Sequence, residues 1–408
     1  SWREAAAEWR QALRLRRLAG TRATGPAVEL LAPAVTAHAR AGDMVRARAI
    51  YLDALTGHDD VALLVAWDAP LIWTTREGRE PSSAAVQAIR ARLAGQLADD
   101  LRVRLLLALF RELEGWDEAE AQPVSAQALA LARGAGDARL LCAALNVRAY
   151  AALGPDLRAE RRPIAEEYLA VAVESGQIDH EAVAHWLLFL DSAAHTDLDR
   201  ARSEMGLAVA RSTTGQLGSL LAVVGIFTAL LELLAGRVDE ALERYDEVSR
   251  RLAEHGAFNG AAMATVGRIG AALARDDFGP LRDELTAVEA VFPGRVSDPL
   301  VLALLDGGDE AGARRVWAGR RPIDRNYYWL GFTALRAHAA ARLGDAAAGA
   351  ELLAELLPFA GRVAGLDSGS LYAGPVDSAL HALTGDPAYG KSAAALTASL
   401  RRRGSHGA

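Results

Sequence analysis

The sequence predicts an all-α chain of stacked helix hairpins, on three observations. Ala, Leu, Arg and Glu dominate it, and these residues lose least on entering a helix. Apolar residues recur on a broad helical stripe in stretches such as 221–234 and Trp329–Leu343, with no alternating β-branched segment of useful length. Turn residues punctuate the helices at a near-constant interval.

Gly42, Gly154, Thr196, Gly236, Gly308, Gly344 and Gly385 each end an apolar helix, and the residue five later is always small: Ala47, Ala159, Ala201, Ala241, Ala313, Gly349 and Gly390. A residue in the left-handed region stops the first helix of a pair, and a small side chain early in the second lets the two axes approach. Asp43, Asp309, Asp345 and Asp386 follow the turn, where a short carboxylate caps the next helix. With weaker turns at Gly115 and Asp276, the spacing from Gly115 onward runs from 32 to 42 residues. A helix pair cannot hide its own apolar face, so a repeat of this length predicts a right-handed α-solenoid of tetratricopeptide-like hairpins over residues 1–400. One stretch breaks the pattern: around 67–81, Trp67, Pro70, Trp73 and Gly78 predict an irregular connector. Residues 401–408 are expected to be a disordered tail.

The 408 residues are 51% hydrophobic, enough for a large core. The single cysteine, Cys142, lies in an apolar run and excludes an intrachain disulfide; it reads as a small buried hydrophobe suited to a reducing compartment. No apolar run is long enough to span a membrane and no basic-then-apolar leader opens the chain, so a soluble cytoplasmic protein is expected. Net charge is −7, and this acidic balance argues against direct nucleic-acid binding. The clusters Arg14, Arg16 and Arg17, and Arg401 to Arg403, read as solvated helix faces. Lys391 is the only lysine among 45 cations, which fits a GC-rich coding sequence.

Two motifs imitate catalytic ones. Residues 385–392, Gly-Asp-Pro-Ala-Tyr-Gly-Lys-Ser, match the phosphate-loop pattern, which works only when a strand feeds the loop. Here 376–383 reads as a helix, and Gly385 and Gly390 are the turn and close-contact pair of the repeat. His180 and His185 stand five apart, about 140° apart on a helix, whereas two zinc ligands on one face need a spacing of four. No nucleophile sits in a recognisable turn. No catalytic residue, metal site or cofactor is assigned, and the chain is read as a binding protein.

The first helices of successive pairs line the inner surface of such a stack, so polar and aromatic residues there are the ligand candidates. They are Asn146, Arg148 and Tyr150 in one repeat, His185, Trp186, Phe189 and Asp191 in the next, and Tyr327, Tyr328, Trp329, Arg336 and His338 in a later one. Aromatic walls with a few directing polar groups suit a small molecule; gap-filling between repeats is the structural alternative. Trp67, Trp73, Trp116 and Trp317 are read as core.

The segment Trp67-Asp68-Ala69-Pro70-Leu71-Ile72-Trp73-Thr74-Thr75-Arg76 resembles a signature of large actinobacterial antibiotic regulatory proteins of the AfsR-like type. So does Leu356-Leu357-Pro358-Phe359-Ala360-Gly361-Arg362-Val363, followed by Tyr372-Ala373-Gly374-Pro375-Val376-Asp377. The opening Trp2-Arg3-Glu4-Ala5-Ala6 and the helix around Leu145-Asn146-Val147-Arg148 fit the same order, so the likeness spans nearly the whole chain. It implies the tetratricopeptide-like C-terminal region of a transcriptional activator whose winged-helix and ATPase modules lie upstream. Those modules would bind DNA and hydrolyse ATP, and no family site residue carries over. The expectation is a domain that senses a small effector, such as a pathway metabolite, in its groove. The alternative is a scaffold that docks a peptide or the parent's own modules.

Overall fold

The structure, a computed structural model, describes residues 1–19, 28–57, 60–74, 76, 80–215, 217–254 and 256–404. Among the described residues there is no strand, only one isolated antiparallel bridge between Val363 and Pro375. Everything else of regular structure is helical, and consecutive helices pack on their sequence neighbours. The chain divides into two compact units where the repeat pattern alone suggests one: Ser1–Phe189 with Arg200–Val224 and Arg250–Gly260, and Leu190–Asp199 with Gly225–Ser249 and Ala261–Ala408.

In the first unit, Val28–Ala41 packs on Met44–Gly57. Asp99–Leu113 packs on Glu118–Gly134 and on the next first helix, Ala138–Ala151, which packs in turn on Arg158–Glu174. In the second, Ser297–Asp306 packs on Glu310–Ala318, Trp329–Leu343 on Ala346–Leu356, and Val376–Thr384 on Pro387–Gly404.

The predicted turns show the expected backbone with one exception. Thr196 (φ 62°) and Asp276 (φ 54°) take the left-handed region despite their Cβ atoms, as the predicted glycines do apart from Gly154. At Gly154 the helix Ala138–Ala151 instead ends on right-handed Ala152, and a longer loop leads to Arg158. Ala159, its expected close-contact partner, is accordingly exposed, whereas Ala47, Ala201, Ala241 and Ala313 are fully buried. Asp309 and Asp345 cap the helices that follow them, accepting from the Gly312 and Ala348 amides. Residues 401–404 continue the last helix rather than starting a loose tail, and 405–408 lie outside the described residues.

Two segments resist the helical pattern, and each packs onto first helices of its own unit. In the first unit, residues 65–74 run without a helix between Val61–Leu64 and Ser83–Leu93; Pro70 lacks a backbone donor and disfavours a helical conformation before it. Thr75 and residues 77–79, the remainder of the expected connector with Gly78, lie outside the described residues. In the second unit, 360–375 forms a hairpin-like strap, largely buried from Val363 onward and closed by Ala364 N–H to Gly374 C=O at 2.8 Å and Ala373 N–H to Ala364 C=O at 3.0 Å. Its tip is a single 3-10 turn, Leu366–Ser368.

Candidate functional site

The connector of the first unit is an irregular stretch of backbone that bends at Ala69, Ile72 and Trp73 and has no regular hydrogen-bond ladder of its own, and buried backbone polar groups must be paired. Side chains from the surrounding helices pair them. Asn146, only 1% exposed, places its amide against Leu71: Oδ1 accepts the Leu71 N–H at 2.6 Å and Nδ2 donates to the Leu71 carbonyl at 3.0 Å. Arg111 donates to the Ala69 carbonyl at 3.1 Å, and Thr36 to the Ala66 carbonyl at 2.7 Å. The Trp73 indole donates to the Phe258 carbonyl at 2.6 Å. The one acidic side chain of this stretch, Asp68, receives a bidentate fork from Arg40 at 2.8 and 2.7 Å.

Beneath this layer Arg48 forks onto Glu112, which also accepts the Ser82 N–H at 3.1 Å. A buried ion pair adds little net stability once desolvation is counted, but removing one partner strands the other. Burial pushes the Arg111 guanidinium down to about 10, with Asp68 opposing the shift, so it stays cationic at neutral pH. Burial likewise raises Tyr51 above the usual phenol range.

In the second unit the strap is held by hydroxyls. Tyr245 donates to the Ser370 carbonyl at 2.6 Å, and the Tyr328 hydroxyl meets Ser370 Oγ at 3.0 Å. The helix Trp329–Leu343 approaches so closely at Gly331 that an added Cβ would stand 2.6 Å from Leu371 Cδ2 and 3.1 Å from Gly365 Cα. Gly270, in the helix Ala262–Arg275, is also close, with an added Cβ 3.0 Å from Leu233 Cδ1 and 3.2 Å from the Tyr372 carbonyl oxygen.

Of the candidates read from sequence, Asn146 is committed to Leu71. Arg148 points another way, to Glu160 Oε2 at 2.6 Å and to Gln122 and Ser125 of the neighbouring helix. Tyr150, Trp186 and Phe189 are buried core. His185 Nδ1 pairs with Glu204 at 2.8 Å. Asp191 is buried at the end of its helix, 3.6 Å from His195 Nδ1. Tyr327 packs at a tilt against Tyr328 with ring centroids 4.8 Å apart, and buried Trp329 lies 5.5 Å from Phe359 with Arg325 over its face. Arg336 pairs with buried Asp298 at 2.9 Å and with the Arg321 carbonyl; burial raises the Asp298 carboxyl in spite of that partner. His338 is pushed down to about 4 by burial. The predicted aromatic walls of a small-molecule groove are therefore engaged in intramolecular packing, and they are divided between the two units.

The motif geometry agrees with the repeat reading. Helix Val376–Thr384, not a strand, precedes Gly385, and Gly390, Lys391 and Ser392 lie within the final helix. His180 meets Tyr168 while His185 meets Glu204, and no metal-ligating cluster occurs among the described residues. Trp67 and Trp317 are core and Trp73 is half-buried, but Trp116 is 44% exposed. Cys142 is fully buried, which pushes its thiol up to about 11.

Sequence reasoning missed Thr36, Arg40, Arg111, Tyr245 and Ser370. Interior helical glycines were the available signal in the second unit, since Gly costs about 1 kcal/mol relative to Ala in a helix and persists where a backbone must approach.

Comparisons with protein-family models, with curated proteins and with solved structures give no significant match. No helix among the described residues is long and apolar enough to cross a membrane.

Proposed function

We propose that this chain is a non-enzymatic regulatory module of right-handed tetratricopeptide-like pairs that docks extended protein segments on the faces of its first helices. The carrying observation is the Asn146 amide, which pairs both backbone polar groups of Leu71 in a segment that forms neither helix nor strand. A side-chain amide in that arrangement binds main chain irrespective of sequence, while neighbouring groups such as Arg40 supply selectivity. The resemblance to actinobacterial antibiotic regulators adds the setting: the docked segments belong to upstream DNA-binding and ATPase modules of a cytoplasmic activator. Docking that favours one arrangement of those modules would regulate them.

The small-effector reading has less support, because Tyr150, Trp186, Phe189 and Trp329, its expected aromatic walls, are buried in the packing of the helices. The test is hydrogen exchange on the purified chain with extended peptides selected by display. Protection confined to Asp99–Leu113 and Ala138–Ala151 supports docking there. Failure of every peptide, together with a metabolite that raises the melting temperature, would replace docking with the effector reading.

A further inference from the structure

The connector that occupies the first unit behaves chemically as a ligand would. Its grip comes from side chains rather than from a sheet ladder, and three features of its sequence are read. Asp68 takes the Arg40 fork, Leu71 is buried while Asn146 holds its backbone, and Trp73 spends its indole N–H on Phe258. Pro70 sits between them, where no backbone donor is required.

The fit is incomplete at one edge. A cleft of about 20 Å³ lies against Ala69, Pro70 and Ile72 and is lined also by Trp2, Arg40 and Asp179. It has room for one water. The Asp68 side chain beside it is one-third exposed, so this end of the connector is open to competition.

We propose, on the docking reading above, that residues 66–73 are a displaceable resident ligand. The partner that takes their place is a non-helical protein segment of the same chemistry: a carboxylate, a branched aliphatic residue three positions later, and a tryptophan two beyond that. The resident segment wins by being part of the same chain, since covalent attachment makes its binding intramolecular and raises its effective concentration above that of a free partner. A partner competes when it fills the open edge or when the tethered copy is weakened.

The probe is a labelled synthetic peptide of residues 66–74 with a photoreactive leucine at position 71, added to the full chain. Weakening the resident copy with Asp68→Ala and Leu71→Gly should tighten peptide binding by about tenfold or more over the wild type. Adding Asn146→Ala to that variant should reverse the gain, since it strands both backbone groups of the residue it held, an effect of about tenfold or more. Crosslinks should map to Ala138–Ala151 or Asp99–Leu113. Equal weak binding to both chains, or crosslinks elsewhere, overturns the proposal. If circular dichroism shows the weakened chain has lost its helices, the wild type is crosslinked at millimolar peptide instead. Labelling of those two helices then supports the proposal, and its absence overturns it. If display-selected peptides protect this face while the 66–74 peptide does not bind, this inference fails and docking stands; if neither binds, both fail.

Discussion

Tyr245 and Ser370 stand 125 residues apart in sequence, yet the tyrosine hydroxyl donates to the serine carbonyl at 2.6 Å inside the second unit. The ring is fully buried, and burial raises the phenol well above its ordinary range, so it stays a donor at any moderate pH. Tyr245→Phe keeps the ring and strands a buried carbonyl. The expected cost is about 1–3 kcal/mol, measured as a lower unfolding midpoint in urea.

Asn146→Ala strands both the N–H and the C=O of Leu71 and leaves a small void. A loss of about 2–4 kcal/mol is expected. Hydrogen exchange at Leu71 should accelerate before that of the surrounding helices, because the connector alone loses its partner. Asn146→Asp should not rescue it, since a carboxylate turns an acceptor toward the Leu71 carbonyl.

Two glycines inside helices should respond oppositely to alanine. Gly331→Ala drives a Cβ into Leu371 and the strap backbone, and overpacking of this kind costs about 1–3 kcal/mol. Gly206, within Leu198–Gly215, has nothing within 4 Å of an added Cβ. Gly206→Ala should stabilise by about 0.5–1 kcal/mol through helix propensity alone. Paired denaturant titrations decide both signs.

His180 ties stability to pH. Burial pushes its imidazole down to about 4, against the opposing pull of Asp179 and with Arg139 adding to the shift. The neutral ring hydrogen-bonds the Tyr168 hydroxyl through Nδ1, 2.6 Å away. Because the folded pKa lies below the unfolded value near 6.5, the unfolded chain binds the extra proton between them. Stability from this group is complete above about pH 6.5 and falls as pH drops toward 4. His180→Gln should make that limb shallower by up to about one proton, ~1.4 kcal/mol per pH unit. An unchanged slope in unfolding titrations would mean that His180 titrates normally.

The helical class, the turn interval and the capping carboxylates were legible because they depend on neighbours within a few residues. Asp309 caps Gly312 and Asp345 caps Ala348 from three residues away, and left-handed Thr196 was foreseeable from its register with the glycines. Gly154 misled for the same reason: register alone does not say where a helix stops when the next loop is longer. Trp116 was read as core from residue type, and only the packing places it in solvent.

By itself the sequence determined an all-α chain of stacked pairs, and it singled out Trp67–Pro81 as the break in that pattern. Only the tertiary structure decided where that break goes. Asn146 reaches Leu71 across 75 residues and Arg40 reaches Asp68 across 28, and no periodicity carries such pairings. Helix formation is a local free energy repeated along the chain, whereas pairing an irregular segment's backbone depends on whichever side chains the assembled helices bring to it.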